Sequence, residues 1–139
     1  MLALEPHLKT RLQALSALTG WAVRTGTELA DRRMVPAADV RCSGAQISDG
    51  GASTVTLDPA WTVTLVVTRS DEAAGQLDAA LAAVIASLHN WYPGLLDGRA
   101  WRRVALQSVR EPEFAPEGQA AYELIFTSSA VYHGQVLAR

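Results

Sequence analysis

Apolar residues recur along this chain with two different periods. Between about Pro6 and Leu18, Leu8, Leu12 and Leu15 form one stripe, and Lys9, Arg11 and Gln13 lie off it. A repeat near 3.6 residues predicts an amphipathic helix. Pro6 suits its first turn, where a missing N–H goes unused, and Thr19-Gly20 supplies the stop. A short strand from Trp21 to Thr25 follows, with Trp21 and Val23 on one face, and Gly26 ends it. Thr27 to Pro36 reads as an exposed connection, because Arg32-Arg33 and Pro36 oppose regular structure.

The period then changes to two. Ala38 to Ile47 alternates as a strand, Val40 and Cys42 inward, Asp39 and Arg41 outward. Ser48-Asp49-Gly50-Gly51 signals a hairpin turn, and the chain returns through Ser53 to Leu57. Pro59 interrupts, and Ala60 to Arg69 follows, almost wholly β-branched from Thr62 to Thr68. Such a run fits a two-sided, pleated environment, which puts it at the centre of the sheet. From Asp71 to His89 the helical period returns, with Leu77, Leu81, Val84, Ile85 and Leu88 as the apolar band and Ser70 as the cap. Asn90-Trp91-Tyr92-Pro93-Gly94 ends that helix. A loop from Leu95 to Gly98 leads to a strand over Arg99–Arg110, an acidic turn over Glu111–Gly118 and a last strand over Gln119–Tyr132. The expected architecture is α+β: a mainly antiparallel sheet with two principal helices packed on it, in the order α-β-β-β-β-α-β-β.

Length and composition narrow the class. At 139 residues, without repeat or linker, residues 1–139 read as one domain. Hydrophobic residues at 49% and charged ones at 19% indicate a globular chain rather than a disordered one. The formal charge of −2 removes the simplest electrostatic case for nucleic acid or an anionic membrane as main partner. The single cysteine, Cys42, cannot form an internal disulfide, so a reducing compartment is the default. The start, Met1 to Pro6, has no basic, apolar signal pattern. Ala79–Leu88, the longest uncharged apolar segment, has about half the ~20 residues of a membrane span.

Candidate chemistry is sparse. His7, His89 and His133 fall in three different elements without metal-ligand spacing, so no metal site is expected. Cys42 sits in an alternating strand as a small hydrophobe, and no nucleophile elbow or phosphate loop is present. Asp71-Glu72 opens a helix, while Glu111, Glu113 and Glu117 share a solvated turn, so no acid/base pair is indicated and no enzyme is expected. Two constellations suit recognition instead. One groups Arg99, Arg102 and Arg103 around Trp101, close after Trp91-Tyr92. Arginine with aromatics is the mixture enriched at interface hot spots, although the same tryptophans could close the core while the arginines solvate an edge. The other is the hairpin around Asp49, Gly50 and Gly51, either an arm toward a partner or an ordinary turn.

The order of elements resembles a family. A leucine-striped helix leads to the strand entry Pro36-Ala37-Ala38-Asp39-Val40-Arg41 and then to Trp61-Thr62-Val63-Thr64-Leu65-Val66-Val67. The alanine-rich helix closes in Asn90-Trp91-Tyr92-Pro93, and Tyr122-Glu123-Leu124-Ile125-Phe126 comes last. This is similar to the tail terminator (tail completion) proteins of long-tailed bacteriophages and prophages. The resemblance implies a structural protein without catalysis or cofactor. It forms a ring, typically a hexamer, that caps the finished tail tube and prepares it for head joining. Its partners are then copies of itself, the tail tube protein and a head-completion protein, with no membrane or specific nucleic acid. Its place is the host bacterial cytoplasm during assembly and the virion tail afterwards. The family has no fixed contact motif, so the interface candidates rest on the residues themselves: Arg99, Arg102 and Arg103 on one surface, Glu111, Glu113 and Glu117 on another. The competing reading is a small non-catalytic regulatory or ligand-binding α+β module with a pocket near Trp21, Trp61 or Trp91. Single-stranded nucleic-acid binding through the Trp/Arg cluster is a third, which the charge balance disfavours.

Overall fold

Leu4, Leu8 and Leu12 are fully buried, and they define the inner stripe of the first helix, α1 (Leu4–Gln13), in the computed structural model, which describes residues 1–136. The helix is shorter than the expected Pro6–Leu18. It breaks after Gln13 and gives way to a 3₁₀ turn at Ser16–Leu18, where the Thr19 hydroxyl donates to the Ser16 carbonyl. That turn buries Leu18 and leaves Leu15 packed against the core from its margin.

Strand β1 (Ala22–Thr25) pairs in parallel with β2 (Ala37–Gly50), which runs antiparallel to β3 (Thr54–Thr68). Helix α2 (Ala73–Leu88) then crosses the sheet, and a small hairpin follows, β4 (Gly94–Leu96) and β5 (Arg99–Trp101). The remaining strands are β6 (Ala105–Arg110), β7 (Gln119–Thr127) and β8 (Ala130–His133). The main sheet has the order β1-β2-β3-β7-β6, with β8 beside the first half of β3. The α+β class and the central place of the Thr62–Thr68 run are as expected.

Five local expectations change. The two segments around Pro59 form one strand, because Pro59 falls where β7, pairing from Ala60 onward, gives way to β8, pairing up to Leu57. A residue without an N–H costs nothing at a gap in the ladder. The last strand accordingly divides at Ser128-Ser129, where Ser128 Oγ donates to the Arg102 carbonyl (2.7 Å) and Ser129 Oγ to Asp58 (2.7 Å). The expected loop at Leu95–Gly98 is a hairpin turn: Asp97 (φ 52°) and Gly98 (φ 72°) are both left-handed, the requirement of a tight two-residue turn. Hence Arg99–Arg110 is two strands, separated where the Val104 N–H donates to the Trp91 carbonyl and the Arg102 N–H to that of Ser129. At the tip, β2 continues through Gly50, and the reversal is made by Gly51, whose N–H donates to the Thr54 carbonyl.

Both helices cover one face of the sheet. α1 packs on β1 and β2, and α2 on β3 and β7. Between them lie Val40, Val63, Leu65, Leu124 and Phe126, all fully or almost fully buried. Alternation puts Arg41, Thr62, Thr64, Glu123 and Ile125 on the opposite face, which no helix covers.

Candidate functional surfaces

The connection from Gly26 to Pro36 is bound to the sheet by charge. Arg24 is 5% exposed, and its Nε and Nη2 donate to the two Asp39 oxygens at 2.5 and 2.8 Å. Its Nη1 donates to the carbonyls of Asp31 and Met34, so one guanidinium holds both strand and loop. The Asp39 hydrogen bond raises its pKa further above the ordinary arginine value. Glu28 is pushed below the usual carboxylate range, first by the Lys9 ammonium and then by the Thr25 N–H. Arg33 does the same to Asp31. Arg32 donates to the carbonyls of Thr25 and Glu28. This segment, read as a plain connection, is a latched one.

Glu5 is a second buried charge that the pattern did not reveal. It is 1% exposed, with Oε2 accepting the Cys42 N–H at 2.9 Å and Oε1 the Thr27 hydroxyl at 3.3 Å. β1 pairing ends at Thr25–Val40, so the carboxylate takes the next outward N–H of β2 in place of a strand carbonyl. A glutamate three residues before a leucine stripe member carried no visible sign of this role.

The Trp/Arg constellation separates into parts. Trp101 is a core residue, 2% exposed, meeting Trp61 edge to face at 5.8 Å and 64°; as a surface contact it is displaced by that burial. Trp91 is half-buried under the Arg11 guanidinium, 4.6 Å from the ring. Arg99 stacks on Tyr132 at 3.8 Å. Tyr92 is exposed, with Arg103 5.7 Å from its ring, and Arg102 beside it is exposed as well. His89 does more than end a helix, since its Nδ1 accepts the Leu106 N–H at 3.0 Å.

Arg102 and Arg103 form one wall of a surface concavity of about 560 Å³. Its lining also includes Ser43, Gly44, Ala45 and Asp58 at the base of the β2–β3 arm. Asp58 Oδ1 accepts the Ser48 and Ser129 hydroxyls. The arm itself is exposed from Ala45 to Gly51, so Asp49, Gly50 and Gly51 project at its end. The acidic turn follows the other end of β6 from Arg103 and folds over the helix-free face, where Pro112, Glu113 and Phe114 line a groove with Arg41, Ser43 and Thr62. Glu111, Glu113 and Glu117 are exposed there, Glu111 accepting the Tyr122 hydroxyl at 3.4 Å. Between them Phe114 is 82% exposed, an aromatic that the sequence reading passed over within the run Glu-Pro-Glu-Phe-Ala-Pro-Glu.

Other grooves lie on the helix-free face and beside α2, with volumes of about 550, 370 and 400 Å³. None of these four grooves is lined by Trp21, Trp61 or Trp91. Among the described residues, no group of three or more His, Cys, Asp or Glu side chains gathers where a metal could bind. No helix of the described residues is long and apolar enough to cross a membrane.

No protein-family model and no curated protein sequence matches the chain. Among solved structures, it is similar to a chain from the virion of a native gene transfer agent (GTA) particle. The TM-score is 0.65 at 16% sequence identity, and the match covers 93% of this chain and 95% of that one. At this identity the likeness establishes a shared fold, extending over nearly the whole of both chains.

Proposed function

We propose that this protein is a structural component of a phage-type virion and, within that class, a tail terminator. The observation that supports this is the end-to-end likeness to a chain of a gene transfer agent virion, joined to the element order noted in the sequence. In this reading, copies of the chain close into a ring, most simply a hexamer, on the end of a finished tail tube. The ring stops further addition of tube subunits and offers its outer face to a head-completion protein. The chain acts through its surface, without catalysis, cofactor, membrane or specific nucleic acid. It works in the host bacterial cytoplasm during assembly and then in the virion tail.

A closed ring joins unlike patches, so each subunit must carry two that complement each other. Arg102 and Arg103 at one end of β6, and Glu111, Glu113 and Glu117 at the other, have that arrangement. The ligand-binding alternative has less support, since Trp61 is packed against Trp101 rather than lining a cavity.

The test is tail assembly with and without the protein, followed by electron microscopy. Tubes of uncontrolled length without it, and tubes of one length capped by a ring with it, are expected. Tubes of normal, capped length in its absence exclude the tail terminator reading.

A further inference from the structure

Phe114 is the aromatic side chain most exposed to solvent on the described surface, at 82%. It stands in a loop whose backbone is stiffened by Pro112 and Pro116, so little conformational freedom remains to be lost on docking. Residues 111–118 carry three glutamates and no basic residue. A rigid aromatic ringed by like charges has the form of an interface anchor.

A matching surface exists on the same chain. The concavity of about 560 Å³ beside Arg102 and Arg103 is lined by small residues, Ala45, Ala60 and Ala105, with Gly44 among them. Both guanidinium groups are exposed at its rim, and neither forms an ion pair among the described residues. Its one carboxylate, Asp58, is already engaged by two serine hydroxyls. Within one subunit Phe114 lines the neighbouring groove of about 400 Å³ with Arg41, Thr62 and Ile125, which meets the concavity only at Ser43, so its own loop does not fill the concavity.

We infer that the occupant of this concavity is the Phe114 loop of a second copy of the chain. The phenyl ring enters over Gly44 and Ala45, while Glu113 and Glu117 meet Arg102 and Arg103 of the neighbour. The opposite charges of loop and rim identify the partner, and because loop and concavity are different patches of the chain the contact is head-to-tail. Such contacts repeat from copy to copy and form a ring when the rotation between copies closes. The inference rests on the proposed assembly role and specifies how its subunits join.

The experiment is self-association of the full chain followed by analytical ultracentrifugation up to the highest soluble concentration. The variants are Phe114→Ala, Arg102→Glu with Arg103→Glu, Glu113→Arg with Glu117→Arg, and the combined charge exchange. All the altered side chains are exposed, so each variant is first checked for an unchanged thermal midpoint. Phe114→Ala and each charge reversal should weaken association at least tenfold, and the combined exchange should recover most of it. Association that is insensitive to Phe114→Ala and to both reversals overturns this inference while leaving the assembly role standing. A chain that stays monomeric at every concentration overturns the inference as well. The role itself is decided separately by the length of tails assembled without the protein.

Discussion

Arg24 and Asp39 are register partners in the parallel β1–β2 pair, and the guanidinium clasps both carboxylate oxygens at 2.5 and 2.8 Å. The same group reaches the carbonyls of Asp31 and Met34, so one side chain fastens the first strand, the second strand and the connection between them. A short edge strand with only four residues needs such help, because its own ladder is brief.

Removing that group should therefore be costly. Arg24→Met leaves Asp39 with only the longer Arg32 contact at 3.4 Å and two carbonyls without a donor, and a loss of about 3 kcal/mol is expected. Arg24→Lys keeps the charge but not the fork, so about half of that loss should remain. Urea unfolding measures both, and equal stability of Arg24→Lys and the parent chain contradicts the bidentate role.

Trp101 and Tyr92 test how the aromatic cluster divides. Trp101 fills the core against Trp61, so Trp101→Ala should lower stability by about 3–5 kcal/mol. Tyr92 is 60% exposed, and Tyr92→Ala should change it by less than about 0.5 kcal/mol. Thermal unfolding of the two variants side by side gives the comparison, and similar losses from both contradict the division.

Glu5 makes a prediction about hydrogen bonding rather than charge. Glu5→Gln keeps an acceptor for the Cys42 N–H and should be tolerated within about 1 kcal/mol. Glu5→Ala orphans that buried donor and opens a cavity beside Thr27, for a loss of about 2–3 kcal/mol. Amide exchange at Cys42 should speed up in Glu5→Ala alone.

Acid should loosen the latched connection before it disturbs the core. Glu28 has a folded pKa below its ordinary 4.5, with the Lys9 ammonium as the largest cause. Between the two values the unfolded chain binds more protons, so stability rises with pH there. The contribution is complete above pH 4.5 and is lost as pH falls through the folded value. Lys9→Ala should reduce this acid dependence, with an effect of about 0.5 kcal/mol at neutral pH. Thermal midpoints of parent and variant between neutral and acid pH measure it; identical slopes contradict the Lys9–Glu28 latch.

Local period was enough to place both helices, the Thr62–Thr68 run at the centre of the sheet and the alternation of β7, since each depends on neighbours within a few residues. Where elements join was less legible. Pro59 looks like a break until β7 and β8 are seen to share the same side of β3 and leave a gap opposite it. The hairpin at Asp97-Gly98 was hidden because two three-residue strands show no measurable alternation. In the Trp/Arg cluster the residue types were visible, but not which ring turns inward. Trp101 meets Trp61 across a separation that no local pattern spans.

The sequence by itself determined the α+β class, the two apolar helix faces, the central strand and the two oppositely charged segments, because period, β-branching and charge are properties of short stretches. Only the tertiary structure decided that Glu5 and Arg24 are buried, that Phe114 stands exposed, and that the arginine rim and the acidic loop sit at opposite ends of one strand. Those relations come from the packing of distant segments. Burial is fixed by what covers a side chain in space, and the chain's own neighbours do not specify that.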